Sequence, residues 1–186
     1  MREMRVIDIA RRIGSSPATF YQYFKDVEDV VLYLASQMKE STPGLVQLIE
    51  GDWRGREGHA RGREIANAVI EHWEKYAPVL RARNNASDEG HKALREARMA
   101  AMIPLIDAFK AAIERSHEQA GDVTEPDLNS EWDGGSVDPL VGATACTSAI
   151  ERLAMYHGWI VEMGGTREEL VDTTATMLQS LLTARR

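Results

Sequence analysis

Apolar residues recur every three or four positions along most of this chain, which is the period of an α-helix rather than of a β-strand. In the first such segment, Val6, Ile9 and Ile13 share one helical face. Gly14 follows them in the position of a helix-ending glycine. No segment shows the sustained alternation of apolar and polar residues that marks a half-buried strand. The sequence therefore predicts an all-α protein.

Capping residues divide the chain into further helices. Ser16 and Asp26 are predicted N-caps, and Thr166 with Glu169 is a predicted capping box. A break is expected over residues 41–44, where a proline and a glycine interrupt the helical pattern. The chain is therefore expected to consist of several short and long helices.

Two connectors are predicted in the rest of the chain. The Gly/Arg-rich segment 51–63 is predicted to be a plain loop, although an RNA-binding arginine–glycine segment has a similar composition. The helix after it is expected to end near Pro78, and the next one to begin near Ser87. Residues 120–138 carry six acidic and no basic side chains, and this length favours either a mobile segment or a lid.

Composition limits the class of protein. Apolar residues make up 44% of the 186 residues, which is enough to fill a globular core. Cys146 is the one cysteine, so no intrachain disulfide is possible and a reducing cytoplasm is the expected compartment. No apolar run reaches the roughly 18 residues of a membrane span, and the start shows no signal peptide. We expect a cytoplasmic protein without a membrane partner.

The charge of the chain is unevenly distributed. Residues 1–25 have a net charge of +3, whereas the remaining 161 residues carry −10. A basic first segment on an acidic body indicates that this end of the chain meets a polyanion.

The segment from Val6 to Phe24 has the layout of a helix-turn-helix, two short helices joined by a glycine turn. Phe20 and Phe24 are spaced to form the buried face of the second helix, which leaves Gln22 free to meet base edges. Hydroxyl groups at the start of that helix suit a DNA phosphate. Two short helices around a glycine are also common in ordinary packing, so the layout alone does not decide for DNA.

The residues from Ile9 to Val30 resemble the TetR family of transcriptional repressors. The family pattern is an Ile-Ala pair, a glycine turn, a Tyr-x-x-Phe recognition helix and a start of the next helix that contains Lys and Glu. The pair Glu151-Arg152 is similar to the EthR-like branch. The resemblance implies an all-α fold with a helix-turn-helix head over residues 1–30 and a ligand-binding and dimerisation body over residues 31–186.

The resemblance also implies a function. The head would bind a palindromic double-stranded operator, and a hydrophobic small-molecule effector bound in the body would release the repressor from it. The residues that the resemblance and the helix-turn-helix layout assign to DNA binding are Arg5, Ser15, Ser16, Pro17, Ala18, Thr19, Tyr21, Gln22, Tyr23 and Lys25.

Two features depart from the family pattern. TetR proteins place a helix before the Ile-Ala helix, and we expect that helix to be either encoded upstream of Met1 or missing from the head. The phosphate-contacting lysine of the family is replaced by Val27, and Lys25 is expected to substitute for it in part. An alternative function is therefore a dimeric helical small-molecule-binding protein that does not bind DNA in this N-terminally short form.

Aromatic, methionine and threonine side chains of the body are candidates for an effector pocket. At helical spacing such residues usually belong to the core, but TetR-like bodies enclose a ligand cavity that large flat or flexible side chains line. The candidate ligand-binding residues are Trp73, Tyr76, Met99, Met102, Phe109, Thr144, Thr147, Tyr156 and Trp159.

The last two helices are predicted to form a homodimer. The first of them, from Pro139 to Met163, has small residues on more than one side, which permits close approach of a second helix. The last helix adds more apolar surface than one contact within the chain should bury, on Leu170, Met177, Leu178, Leu181 and Leu182. Two such pairs of helices would form a four-helix bundle. The alternative is that these helices close the core of the monomer.

Catalytic and metal sites are not predicted. The five histidines show no metal-ligand spacing, and no Ser/His/Asp arrangement or pair of carboxylates stands in an apolar context. Cys146 has small neighbours rather than basic ones, which favours a packing role over a reactive one. We therefore expect neither an enzyme nor a cofactor.

Overall fold

The computed structural model describes residues 5–38, 42–120 and 137–184. Within these ranges the chain forms eight α-helices and no β-strand, which confirms the predicted fold class. In chain order the helices are α1 (Val6–Arg12), α2 (Pro17–Tyr23), α3 (Val27–Gln37), α4 (Thr42–Ile49), α5 (Gly55–Asp88), α6 (Lys92–Ala120), α7 (Pro139–Glu162) and α8 (Arg167–Leu182).

Contacts between residues group the chain into two compact units. The head unit consists of the described residues of Met1–Glu40 and Pro78–Ala100, and the body unit of those of Ser41–Ala77 and Ala101–Arg186. Helices α5 and α6 therefore contribute residues to both units. The functional division predicted at residue 30 remains a prediction.

The first three helices begin and end where local residues predict. Gly14 follows α1 with a φ of 67°, a left-handed conformation that glycine adopts without strain. The Ser16 hydroxyl accepts a hydrogen bond of 3.0 Å from the Thr19 amide and caps α2. The Asp26 carboxylate accepts one of 2.9 Å from the Asp29 amide and caps α3. Both predicted N-caps are confirmed.

The head unit buries apolar side chains in two places. Ala10 of α1 is fully buried, and Phe20 of α2 is 6% exposed. A separate cluster joins α3 to the parts of α5 and α6 that belong to this unit, and its buried members are Val31, Ala86 and Leu94.

Segment 51–63 is helical from Gly55 onward, so the prediction of a plain loop is wrong. At Gly58 a Cβ atom would collide with the backbone before the helix, and at Gly62 it would lie 2.8 Å from Cα of Ala175 in α8. Glycine at these positions therefore permits close packing of a helix rather than flexibility of a loop.

Helix α5 passes Pro78, its predicted end, and α6 begins at Lys92 rather than near Ser87. Proline removes one backbone hydrogen bond and costs about 3 kcal/mol in a helix interior. Leu80, which is 3% exposed, lies beyond the proline on the buried side of the helix. Burial of such side chains offsets the cost, so the helix continues.

The body unit has the larger core, and within it α7 and α8 pack against each other. Phe109 and Ile113 of α6 are fully buried, as are Cys146 of α7 and Leu178 of α8. Burial raises the pKa of the Cys146 thiol to about 12, so the thiol stays protonated at neutral pH. The predicted packing role of Cys146 is confirmed by this position.

The capping box predicted for α8 is present. The Glu169 amide donates to Oγ1 of Thr166 at 3.1 Å, and the Thr166 amide donates to the Glu169 carboxylate at 2.9 Å. The Thr166 hydroxyl also donates to that carboxylate, and this bond is the main cause of the lowered pKa of Glu169. Residues 121–136, the greater part of the predicted acidic connector, lie outside the described residues.

None of the helices in the described ranges combines the length and the apolar character that crossing a membrane requires.

Candidate functional site

Helices α1 and α2 pack against each other on either side of the turn at Gly14. Two backbone hydrogen bonds fix this turn: the Ser15 amide donates to the Ala10 carbonyl at 2.8 Å, and the Gly14 amide donates to the Arg11 carbonyl at 3.3 Å. The predicted helix-turn-helix layout is therefore present in the head unit.

The ten predicted DNA-binding residues are accessible, since nine are exposed and Ser15 is half-buried. Tyr21 and Tyr23 are 59% and 74% exposed, which is a large exposure for aromatic side chains. Phe20 on the same helix is buried. Helix α2 thus has a buried aromatic side and an exposed side that presents Gln22 and two tyrosines. Whether these residues bind DNA remains a prediction.

The head unit also carries cations that differ in their partners. The side chains of Arg11, Arg12 and Lys25 are exposed and form no ion pair within the described ranges. Arg5, in contrast, donates from Nε to Oδ2 of Asp8 at 2.9 Å. This hydrogen bond raises the pKa of Arg5 and lowers the pKa of Asp8. The charge of Arg11 also contributes to the lowered pKa of Asp8, after the larger effect of Arg5. A phosphate would therefore compete with Asp8 for Arg5, but would meet the other three cations without an ion pair to break.

The nine candidate effector residues differ widely in burial. Three are buried with exposures of 3%, 0% and 2%: Trp73, Phe109 and Thr147. Two are half-buried, Tyr76 and Met102. Four are exposed: Met99, which belongs to the head unit, and Thr144, Tyr156 and Trp159 of the body unit. The structure does not bring all nine into one enclosed site, and their part in ligand binding remains a prediction.

The two candidate threonines bond to their own helix. Oγ1 of Thr144 donates to the Leu140 carbonyl at 2.8 Å, and Oγ1 of Thr147 donates to the Ala143 carbonyl at 2.9 Å. A ligand acceptor would have to replace these bonds, whereas a ligand donor could bond to the remaining lone pairs of the hydroxyl oxygens. Within the described ranges no group of three His, Cys, Asp or Glu side chains is placed to hold a metal ion.

One side of α7 is exposed along its whole length. At helical spacing it carries Val141, Ala145, Ser148, Arg152, Tyr156, Trp159 and Met163, which we call the outer face of α7. The Tyr156 and Trp159 rings meet edge-on with centroids 6.3 Å apart, and the Arg152 guanidinium lies 5.6 Å from the Tyr156 centroid. Large apolar side chains exposed together in this way mark an interaction surface.

Much of the apolar stripe of α8 is buried within the chain, whereas Met177 and Leu181 are half-buried, and the part of this helix in a dimer remains a prediction. Three of its residues are 6%, 0% and 1% exposed: Leu170, Leu178 and Leu182. They are buried because α8 packs against α7 and, at Ala175, lies close to Gly62 of α5. Among the described residues of the two C-terminal helices, the exposed large apolar side chains belong to α7 and its C-cap.

A groove of about 240 Å³ in the body unit was not predicted from the sequence. Its walls are the turn 50–54 between α4 and α5, the last turns of α6 and the end of α8. None of the nine candidate effector residues lines it. The sequence holds no local signal for this groove, because its walls come from three segments far apart along the chain.

A helix-turn-helix layout in one unit and an all-helical second unit are both features of ligand-responsive regulators. Residues 45–175 match the family model described as "Tetracyclin repressor-like, C-terminal domain". Because this match covers well over half of the chain, the protein belongs to the TetR family of ligand-responsive regulators. The EthR-like branch is not confirmed by this match. No curated protein matches the chain.

Proposed function

We propose that this protein is a transcriptional repressor that binds a palindromic operator as a homodimer and is released from it by a hydrophobic small molecule. The observation that carries the proposal is the exposure of Tyr21, Gln22 and Tyr23 on α2, a helix that the buried Phe20 anchors in the head unit. The match to the TetR-like body supports the response to a ligand. The proposal assigns no catalytic residue, and it places the protein in the cytoplasm.

The exposed side of α2 has the chemistry of a major-groove reader. The Gln22 amide offers one donor and one acceptor, which match the edge of an adenine, and the Thr19 methyl suits a thymine methyl. Arg11, Arg12 and Lys25 are free to contact phosphates. Phosphate contacts supply affinity, whereas base contacts supply sequence preference. In this proposal the cations hold the duplex and Gln22 reads it.

The proposed homodimer forms through the outer face of α7. A two-fold axis beside this helix would place Val141, Trp159 and Met163 of one copy against the same surface of the other. These side chains are 67%, 59% and 71% exposed in the single chain. A dimer presents two copies of α2 to the two half-sites of a palindrome, which a monomer cannot do.

The proposed effector site includes the half-buried Tyr76 and Met102 of the body unit. A ligand needs side chains that are accessible yet surrounded, and methionine adapts its shape to irregular apolar ligands. Trp73 and Phe109, both buried, are further aromatic candidates for this site. For the effector to release DNA, it must bind more tightly to the form of the dimer that has low DNA affinity.

The proposal is tested by selecting bound sequences from random DNA duplexes with the full chain, followed by fluorescence anisotropy at low salt. We expect a palindromic site to be enriched. Gln22→Ala should weaken binding to this site by about 1–3 kcal/mol and leave binding to unrelated duplexes unchanged. Gln37→Ala is the matched control, because Gln37 is also an exposed glutamine of the head unit but lies at the end of α3.

A full-length protein that is dimeric but enriches no duplex at low salt would contradict the repressor assignment. The dimeric small-molecule-binding protein would then take its place. Equal losses in Gln22→Ala and Gln37→Ala would show that α2 does not read the bases.

A further inference from the structure

The groove at the turn 50–54 has rigid walls. Trp53 donates from Nε1 to the Ile49 carbonyl at 3.0 Å, so its indole ring closes the end of α4. Gln179 of α8 donates from Nε2 to the carbonyls of Trp53 and Gly55 at 2.8 and 2.7 Å. Side chains distant in sequence thus hold the turn in one conformation, as a pre-formed site requires.

The floor of the groove is apolar and its rim is polar. Trp53, Ala112 and Leu182 are 4%, 4% and 1% exposed and form the floor. The rim adds hydroxyl and amide groups that can bond to a ligand: Ser116, Gln119 and Thr183. A volume of about 240 Å³ lies below the range of about 300–1,000 Å³ that is usual for drug-sized ligands. The groove therefore fits a smaller molecule with both apolar and polar parts.

Four charged residues line the groove, two acidic and two basic, and none forms an ion pair within the described ranges. Arg115 donates from Nη2 to the Glu50 carbonyl at 3.2 Å, so its guanidinium is held while its other donors have no bonded partner in those ranges. Oδ1 of Asp52 accepts a hydrogen bond of 3.1 Å from the backbone amide of Arg54. The guanidinium of Arg54 has no bonded partner within the described ranges. Opposite charges therefore line one small groove without neutralising each other by direct contact.

We propose that this groove binds a small zwitterion, an α-amino acid with an apolar side chain. Guanidinium groups bind a carboxylate through paired, charge-assisted hydrogen bonds, and Arg54 and Arg115 supply them. Carboxylates of Glu50 and Asp52 complement an ammonium group. The apolar floor accepts the side chain of the ligand. None of the nine candidate effector residues lines this groove, although the Phe109 ring lies behind Trp53 with centroids 6.4 Å apart.

The test is isothermal titration of the full chain with apolar amino acids from alanine to phenylalanine. Leucine is then compared with N-acetylleucine, which lacks the ammonium group, and with leucinamide, which lacks the carboxylate. We expect at least one amino acid to bind saturably, and each capped analogue to bind about tenfold more weakly or worse, because each loses one charged partner.

Variants locate the binding in the groove. Arg54→Gln and Arg115→Gln should each weaken amino-acid binding about tenfold, and Glu50→Gln should remove the preference for leucine over N-acetylleucine. Arg95→Gln, an exposed arginine of α6 in the head unit, is the matched control and should bind like the wild type. Circular dichroism and thermal melting confirm that each variant folds. If Arg115→Gln does not fold, Arg54→Gln alone tests the role of the guanidinium groups.

The proposal is overturned if no amino acid of the panel shows binding at concentrations up to about 10 mM. It is also overturned if leucine and N-acetylleucine bind equally, or if a folded Arg54→Gln or Arg115→Gln variant binds like Arg95→Gln. None of these results depends on DNA binding, so the proposed repressor function stands or falls separately.

Discussion

The exposed side of α2 and the outer face of α7 both leave large aromatic side chains in solvent, but their surroundings differ. Near α2 in the sequence, Arg11, Arg12 and Lys25 form no ion pair with any residue that the structure describes, and Gln22 lies between two exposed tyrosines. The outer face of α7 has a single charged residue, Arg152, and that residue lies over the Tyr156 ring. Exposure is thus shared, whereas charge and hydrogen-bonding capacity are not.

This difference indicates two kinds of partner. A surface of free cations and amide groups suits a polyanion, whose phosphates take the place of hydrating water. An apolar surface with small residues at Ala145 and Ser148 suits a close-packed copy of itself. Aromatic exposure alone would not separate the two, and the following predictions test whether charge does.

The largest expected effect is on the dimer. Trp159→Glu would replace an aromatic ring of the proposed two-fold interface by a carboxylate, whose burial there is costly. We expect a loss of about 2–4 kcal/mol of dimerisation free energy, typical of a substituted aromatic anchor. Sedimentation velocity at micromolar concentration should show a dimer for the wild type and a monomer for the variant.

Val161→Glu is the matched control for this prediction. Val161 is 48% exposed on the same helix but does not belong to the outer face of α7, so its variant should remain a dimer. A monomeric wild type, or equal behaviour of the two variants, would remove the outer face of α7 as the dimer surface.

The next prediction is that salt weakens DNA binding at α2 but not dimerisation at the outer face of α7. DNA affinity of the full chain should fall steeply between low and moderate salt, because each phosphate that a cation neutralises releases counterions. Lys25→Ala should reduce the slope of the logarithm of affinity against that of salt concentration by about 1, because the variant neutralises one phosphate fewer. Dimerisation through the outer face of α7 should change little over the same range. Equal salt dependence of both equilibria would contradict the proposed division of roles.

Much of the head was predictable from the sequence because its signals are local. The turn at Gly14 needs a left-handed residue, and the caps at Ser16 and Asp26 bond to amides three residues away. Sequence spacing alone contains these relations. The resemblance to the TetR family rests on the same short segment.

The body was less predictable because its determinants lie far apart in sequence. Gly62 has no room for a side chain because Ala175, more than a hundred residues later, lies against it. The composition of segment 51–63 alone indicated a loop. Helix α7 has apolar residues on two sides, and periodicity does not tell that Cys146 is fully buried while Trp159 is exposed. The charged groove at 50–54 was missed for the same reason, since three distant segments form it.

Two N-caps that use a hydroxyl, one in each unit, offer a smaller test of the same comparison. Ser16→Ala and Thr166→Ala should each lower the free energy of unfolding by about 1 kcal/mol. Each variant loses a hydroxyl that accepts a hydrogen bond from a backbone amide. The Ser16 variant should weaken DNA binding with little effect on the melting of the body, whereas the Thr166 variant should do the reverse. Urea titrations with anisotropy on the same samples would measure both, and identical profiles would contradict separate roles.

The capping box adds a dependence on pH. The pKa of Glu169 is lowered in the folded protein, chiefly by the Thr166 hydroxyl, so its stabilising effect is present above the ordinary glutamate pKa. The effect is lost as the pH falls through the lowered pKa. Glu169→Gln should therefore reduce the loss of stability in acid, as urea titrations over a pH series would show. A wild-type acid profile in this variant would mean that other carboxylates account for it.

The smallest expected effect concerns Arg5, which is already paired with Asp8. Asp8→Asn would release the Arg5 guanidinium and remove a negative charge from the head unit. DNA affinity should rise by a few-fold only, on the order of threefold, because exposed charges are screened by solvent and salt. Asp107→Asn, an exposed acid of α6 in the body unit, should leave the affinity unchanged. If Asp8→Asn also leaves it unchanged, Arg5 contacts no phosphate, and the cations of the DNA surface are those that the structure leaves free.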